Sequence, residues 1–134
     1  KRLYEKLRTL KAREVIVVLD TCFSGSGGRS ILAKGVRPLV TKVDLAVGAG
    51  GNLVVLSASA ADEITGTDES SRHGLFTYYF LKGLNERKGK VGAKALFDFL
   101  APQVQEAARR DNRDQTPQLL PPDPDGLSRV RFGE

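Results

Sequence analysis

Two short runs of the chain are apolar at every position, Val15-Ile16-Val17-Val18-Leu19 and Leu53-Val54-Val55-Leu56. The first is mostly β-branched, and an uninterrupted apolar run of this length suits a strand covered on both faces in a parallel sheet. The remaining apolar residues recur at helical spacing. Leu3, Leu7 and Leu10 stand among Lys, Arg and Glu, which predicts an amphipathic helix leading into the first strand. Leu75, Phe76, Tyr79, Phe80 and Leu84 follow the i, i+1, i+4, i+5 rhythm of a helix core face, with its end expected at Lys88-Gly89. A further helix is predicted from Ala93 toward Arg110, with Leu96, Phe97, Leu100 and Val104 inward. Pro102 should kink or split it.

Between these elements the periodicity is lost. Residues 25–52 hold glycines, scattered basic residues and Pro38, with a weak strand-like alternation only at 36–43. A stretch of that length inside a compact domain is usually functional or mobile. Residues 62–71 are acidic and polar and read as a surface loop. Four of the six prolines fall in residues 117–124, so the tail is expected to be extended, with Val130 and Phe132 in a final edge strand. The order β-loop-β-α-α, without repeats, predicts one α/β domain over residues 1–134.

Composition narrows the function classes. The chain opens on Lys1 and has no methionine, which suggests a fragment or processed subunit that has lost residues upstream. Hydrophobic residues at 40% and charged residues at 28% are ordinary for a soluble protein. No apolar run approaches the roughly 20 residues that span a bilayer, and no signal-peptide pattern is present. A single cysteine excludes an internal disulfide and suits a reducing, cytoplasmic setting. The net charge is +5, but residues 1–14 alone carry six basic and two acidic side chains. The excess is therefore terminal, without the basic stripe and stacking aromatics of a nucleic-acid binder.

The candidate chemistry gathers where the first strand ends, at Asp20-Thr21-Cys22-Phe23-Ser24-Gly25. A free thiol is only about 3% thiolate at neutral pH, so a nucleophilic Cys22 needs a base, normally histidine. The sequence contains one, His73, placed as a helix-start residue. Asp20 and Cys22 are two apart on an extended segment and so share one side of the sheet edge. A carboxylate there opposes thiol ionisation, so its presence needs another reason. Receiving a Lys or Arg side chain of a substrate is one. The plainer readings are a buried structural thiol at Cys22 and a turn-forming acid at Asp20 that accepts backbone N–H groups. The glycines after Cys22 serve equally as turn residues or as amide donors to an oxyanion.

The segment Val17-Val18-Leu19-Asp20-Thr21-Cys22-Phe23-Ser24-Gly25 resembles the nucleophile segment of caspase-like cysteine peptidases, above all the metacaspases and their bacterial relatives, with their Asp-x-Cys-x-Ser-Gly pattern. Two later stretches agree in order and spacing, Leu53-Val54-Val55-Leu56-Ser57-Ala58-Ser59-Ala60-Ala61-Asp62-Glu63 and His73-Gly74-Leu75-Phe76-Thr77-Tyr78-Tyr79-Phe80-Leu81-Lys82-Gly83-Leu84. Thr116-Pro117-Gln118 is similar to the family's closing segment. The resemblance implies a caspase-like α/β sandwich: a mostly parallel central sheet, helices on both faces, and the site at the carboxyl ends of the strands. It implies Cys22 as nucleophile of a cysteine endopeptidase that cuts polypeptides after Arg or Lys.

By the same resemblance the general-base histidine belongs to a His-Gly motif on the strand before the nucleophile strand. His73, downstream of Cys22, does not match it, so the base is expected from an N-terminal fragment of the same protein or a companion chain. Asp20 falls in the primary specificity pocket. A second acid of that pocket corresponds to Asp62, or the position is held by Ala61, and Asp62 reads equally as a surface-loop acid. A basic preference makes Arg29, Lys34, Arg37 and Lys42 candidate self-cleavage sites, against the plainer reading of solvated loop charges. Some metacaspases need calcium, so calcium activation is compatible with the resemblance. Glu63, Asp68 and Glu69 form no EF-hand loop, and no cofactor or metal ligand is assigned. Two further readings are an inactive caspase-fold scaffold and a separase-like peptidase, the latter fitting residues 73–84 poorly.

Overall fold

A computed structural model describes residues 2–20, 51–60, 67–68, 73–121 and 129–133; the side chains of Arg2, Thr67, Asp68 and His73 are not among the features described. In chain order the elements are α1 (Arg2–Arg8), β1 (Val15–Leu19), β2 (Leu53–Ser57), β3 (Thr67–Asp68), β4 (His73–Gly74), α2 (Leu75–Glu86), β5 (Val91–Gly92), α3 (Ala93–Arg110), β6 (Gln118–Leu120) and β7 (Arg131–Phe132). The architecture is a small α/β fold, as the pattern of apolar runs predicts. The main sheet is mixed, in the order β1-β2-β6. β1 and β2 run parallel in register from Val15 opposite Leu53 to Leu19 opposite Ser57. β6 pairs antiparallel with the other side of β2, Leu119 facing Leu56.

The two apolar runs do not share one environment. Every residue of β2 is buried, as suits the central strand. Val54, Leu56 and Ala58 point into the main core, and Leu53 and Val55 on the opposite face are fully buried as well. β1, expected to be covered on both faces, is half-buried, and Val18 is 38% exposed. The coverage of both faces implied by its composition is therefore incomplete, and among the described residues β1 has a strand neighbour on one side only.

The core is built where α2 and α3 pack against β2. Leu75 and Phe76 from α2, and Ala93, Leu96, Leu100, Ala101, Val104 and Ala108 from α3, join Val54, Leu56 and Ala58 in one cluster. The helices approach closely at Gly83: a Cβ there would stand 2.5 Å from Leu96 Cδ1 and 2.8 Å from the Phe99 ring. α2 ends as expected, with Lys88 and Gly89 at φ of 53° and 73° and the Gly89 amide donating to the Leu84 carbonyl over 2.8 Å.

Four expectations change in detail. α3 continues through Pro102 as one helix rather than splitting. Pro102 removes the donor owed to the Asp98 carbonyl, and at the neighbouring carbonyl of Phe99 the Gln103 side chain donates over 2.9 Å. α1 stops at Arg8 and half-buries Tyr4 and Leu7, while Leu3 and Leu10 stay exposed at 56% and 50%. Its inward face is thus not the leucine stripe, and burial raises the Tyr4 phenol above its ordinary pKa of 10.0. The expected last strand exists as β7, but it pairs with β5 in a separate two-stranded sheet, Phe132 opposite Val91. Residues 67–68, expected in a loop, pair antiparallel with His73–Gly74.

Candidate active site at the carboxyl ends of the parallel strands

β1 and β2 are parallel neighbours, so both carboxyl ends open on the same edge of the sheet, where α/β proteins hold their ligands. Asp20 is the first residue beyond β1; Ala58 and Ser59 follow β2, and the Ala58 amide donates to the Leu19 carbonyl over 2.9 Å. That bond extends the strand pairing and holds the two chain ends side by side.

Asp20 is half-buried and engaged by the start of α2. Its Oδ2 accepts the backbone N–H of Thr77 at 3.1 Å and the Thr77 hydroxyl at 2.6 Å. Thr77 is the third residue of α2, whose N-cap, Gly74, has no side chain to cap the first turn. Asp20 therefore supplies from 57 positions away the cap that a helix normally takes from its own N-cap residue. Its negative charge also lies at the positive end of the helix dipole. Gly74 is in direct contact with the same group: a Cβ on it would collide with Asp20 Oδ2. Only glycine allows this strand-to-helix junction to lie against the carboxylate.

The end of β2 is stiffened by buried polar bonds. Ser57 Oγ donates to the Ser59 carbonyl over 2.9 Å, and Gln115, 1% exposed, donates from Nε2 to the Ala58 carbonyl over 3.0 Å. Gln115 thereby ties the segment before β6 to the edge that carries Asp20. A buried amide that satisfies a strand-end carbonyl costs little to bury, whereas an unpaired one would be expensive.

The other residues singled out in the sequence divide as follows. Cys22 follows Asp20 by two residues and lies outside the described residues, as do Asp62, Glu63, Glu69, Arg29, Lys34, Arg37 and Lys42. His73 is placed by its backbone in β4, opposite Asp68 of β3, immediately before the glycine that touches Asp20. The expectation that it starts a helix is therefore off by one short strand. Of the two readings weighed for Asp20, the plainer one is met in part: it accepts a backbone N–H, that of Thr77 in the first turn of α2 rather than one in a local turn. Thr77, Gly74 and Gln115 had no role assigned from sequence. For Thr77 the available signal was its place three residues after a glycine that cannot cap a helix.

Among the described residues no group of three His, Cys, Asp or Glu side chains could hold a metal ion, so nothing described fits calcium and no step is drawn through it. Among the described residues no helix is long and apolar enough to cross a membrane. A separate cavity of about 320 Å³ is lined by Arg13, Glu14, Lys90, Arg129, Arg131 and Gly133. It adjoins the residues that precede β1, at the end of the strand opposite Asp20. With four cations and one acid its lining favours an anion over a cation. Comparison with family models, with curated proteins and with solved structures yields no match.

Proposed function

We propose that this chain is the nucleophile-bearing part of a caspase-like cysteine endopeptidase that cleaves after Arg or Lys. The observation that carries the reading is Asp20, a carboxylate held at the carboxyl end of β1, beside parallel β2 and two residues before the sole cysteine. Fold and motif order agree with it, since an apolar strand ending in Asp-x-Cys lies against a second strand and a following helix.

In this reading a histidine supplied by an N-terminal fragment or companion chain takes the Cys22 proton. The sulfur attacks the carbonyl carbon of the basic residue, forming the S–C bond. Backbone N–H groups, of Cys22 and a nearby glycine, hold the oxyanion. As the C–N bond breaks, the imidazolium returns the proton to the leaving amine. Water, activated by the same histidine, then hydrolyses the thioester. Asp20 selects the substrate by charge and takes no part in bond making. The Asp62 side chain is a second candidate acid for that pocket. Self-cleavage at Arg29, Lys34, Arg37 or Lys42 follows from the same selectivity, and calcium activation belongs with the resemblance alone.

The test is hydrolysis of Arg- and Lys-containing peptides by the chain joined to its histidine-bearing segment. Cys22→Ala should abolish turnover; retained hydrolysis would refute the proposal. The second reading, an inactive caspase-fold scaffold, draws on the bonds between Asp20 and Thr77, which give the acid a purely structural task. It predicts no hydrolysis by the unmodified protein.

A further inference from the structure

We propose that Thr77 determines how Asp20 presents itself to a basic substrate side chain, by occupying one of the two carboxylate oxygens. The inference rests on the reading of Asp20 as the substrate-cation acceptor and refines it. An ionised carboxyl group has about four acceptor sites, two on each oxygen. Thr77 fills both on Oδ2, with its amide at 3.1 Å and its hydroxyl at 2.6 Å. Gly74 lies against the carboxylate: a Cβ on it would collide with Oδ2 and stand 3.3 Å from Oδ1. Asp20 therefore meets a substrate cation through Oδ1 alone.

That geometry has a consequence for selectivity. Arginine surpasses lysine at a carboxylate chiefly because its planar fork bonds both oxygens at once. A single available oxygen takes an ammonium group as readily as one guanidinium N–H. Thr77 thus narrows the difference between the two substrates without touching either, which makes it a positioning residue. Its hydroxyl also holds the carboxylate in one rotamer, so the group is oriented before substrate arrives.

The test uses the chain joined to its histidine-bearing segment and two peptides that differ only in Arg or Lys before the scissile bond. The unmodified protein should show kcat/KM values for the two within about threefold. Thr77→Ala removes the hydroxyl and leaves space at one acceptor site on Oδ2. The Arg-to-Lys ratio should then rise about five- to tenfold, through KM. Thr77→Ser, which keeps the hydroxyl, should retain the original ratio. Turnover of both peptides with an unchanged ratio in Thr77→Ala would overturn the inference, because a merely structural Thr77 lowers both equally. Should Thr77→Ala fail to fold, Gly74→Ala serves instead: its Cβ displaces the carboxylate, and KM for both peptides should rise at constant kcat. An unaltered KM in that variant would also overturn it. Failure of the peptidase reading is separately visible, as absence of hydrolysis in the unmodified protein or its persistence in Cys22→Ala, and takes this inference with it.

Discussion

Thr77 donates both its amide and its hydroxyl to one oxygen of Asp20, linking the end of β1 to the start of α2 across 57 positions of sequence. The acid thus has a structural task and a proposed recognition task, and two substitutions separate them. Asp20→Asn keeps an oxygen that can accept both bonds, so stability should fall by no more than about 1 kcal/mol, while discrimination for basic peptides drops at least about tenfold. Asp20→Ala removes the cap altogether and should cost about 1–3 kcal/mol. Chemical denaturation of both variants, beside peptide kinetics, checks the separation. Equal destabilisation by Asn and Ala would count against the capping geometry.

Gly83 is the point where α2 touches α3. Gly83→Ala brings a methyl group within 2.5 Å of Leu96 Cδ1, and Leu96 is fully buried. Helix propensity alone would favour alanine by roughly 1 kcal/mol. Overpacking should outweigh that gain and leave a net loss of about 1–2 kcal/mol. An unfolding midpoint that rises in Gly83→Ala would show that the helices can separate at little cost.

Gln115→Leu preserves bulk but leaves the Ala58 carbonyl without the buried amide that it accepts at 3.0 Å. A loss of about 1–3 kcal/mol is expected, with faster amide exchange in β6, the strand that Gln115 leads into. Exchange unchanged at residues 118–120 would place the restraint elsewhere.

His73 precedes the glycine that touches Asp20, and it is the sole histidine of the chain. If the base comes from a companion segment, His73→Ala in the joined protein should retain hydrolysis within about threefold, since its imidazole then carries no proton in the reaction. Loss of several orders of magnitude would instead make His73 the base and remove the need for a second segment.

Much of the fold is legible in the chain because the deciding interactions are local. β1 and β2 follow from runs of residues whose branched side chains favour extended backbone. α2 and α3 follow from apolar spacing, and the end of α2 from a glycine that accepts positive φ. Pro102 misleads for a physical reason: it removes one hydrogen bond, while the side chains of α3 on both sides of it remain packed into the core. The loss of one bond is smaller than the burial that holds the helix together.

The candidate site was legible to a lesser degree. The acid at the end of a strand and the cysteine two residues after it are visible in the sequence, and so is the sign of the charge that Asp20 would attract. Its partner was not visible, because Thr77 reaches it through the fold, and no spacing rule connects residues so far apart. The same holds for Gln115, whose polar side chain reads as surface until the strand end it satisfies is in place.

The sequence by itself thus determined the element types, the α/β class and the position of the acid, since each depends on near neighbours in the chain. Only the tertiary structure decided that β2 rather than β1 is the central described strand, that the last strand joins a separate sheet, and that Asp20 caps α2. Those features depend on which surfaces meet once the chain has closed on itself, and local pattern does not specify them.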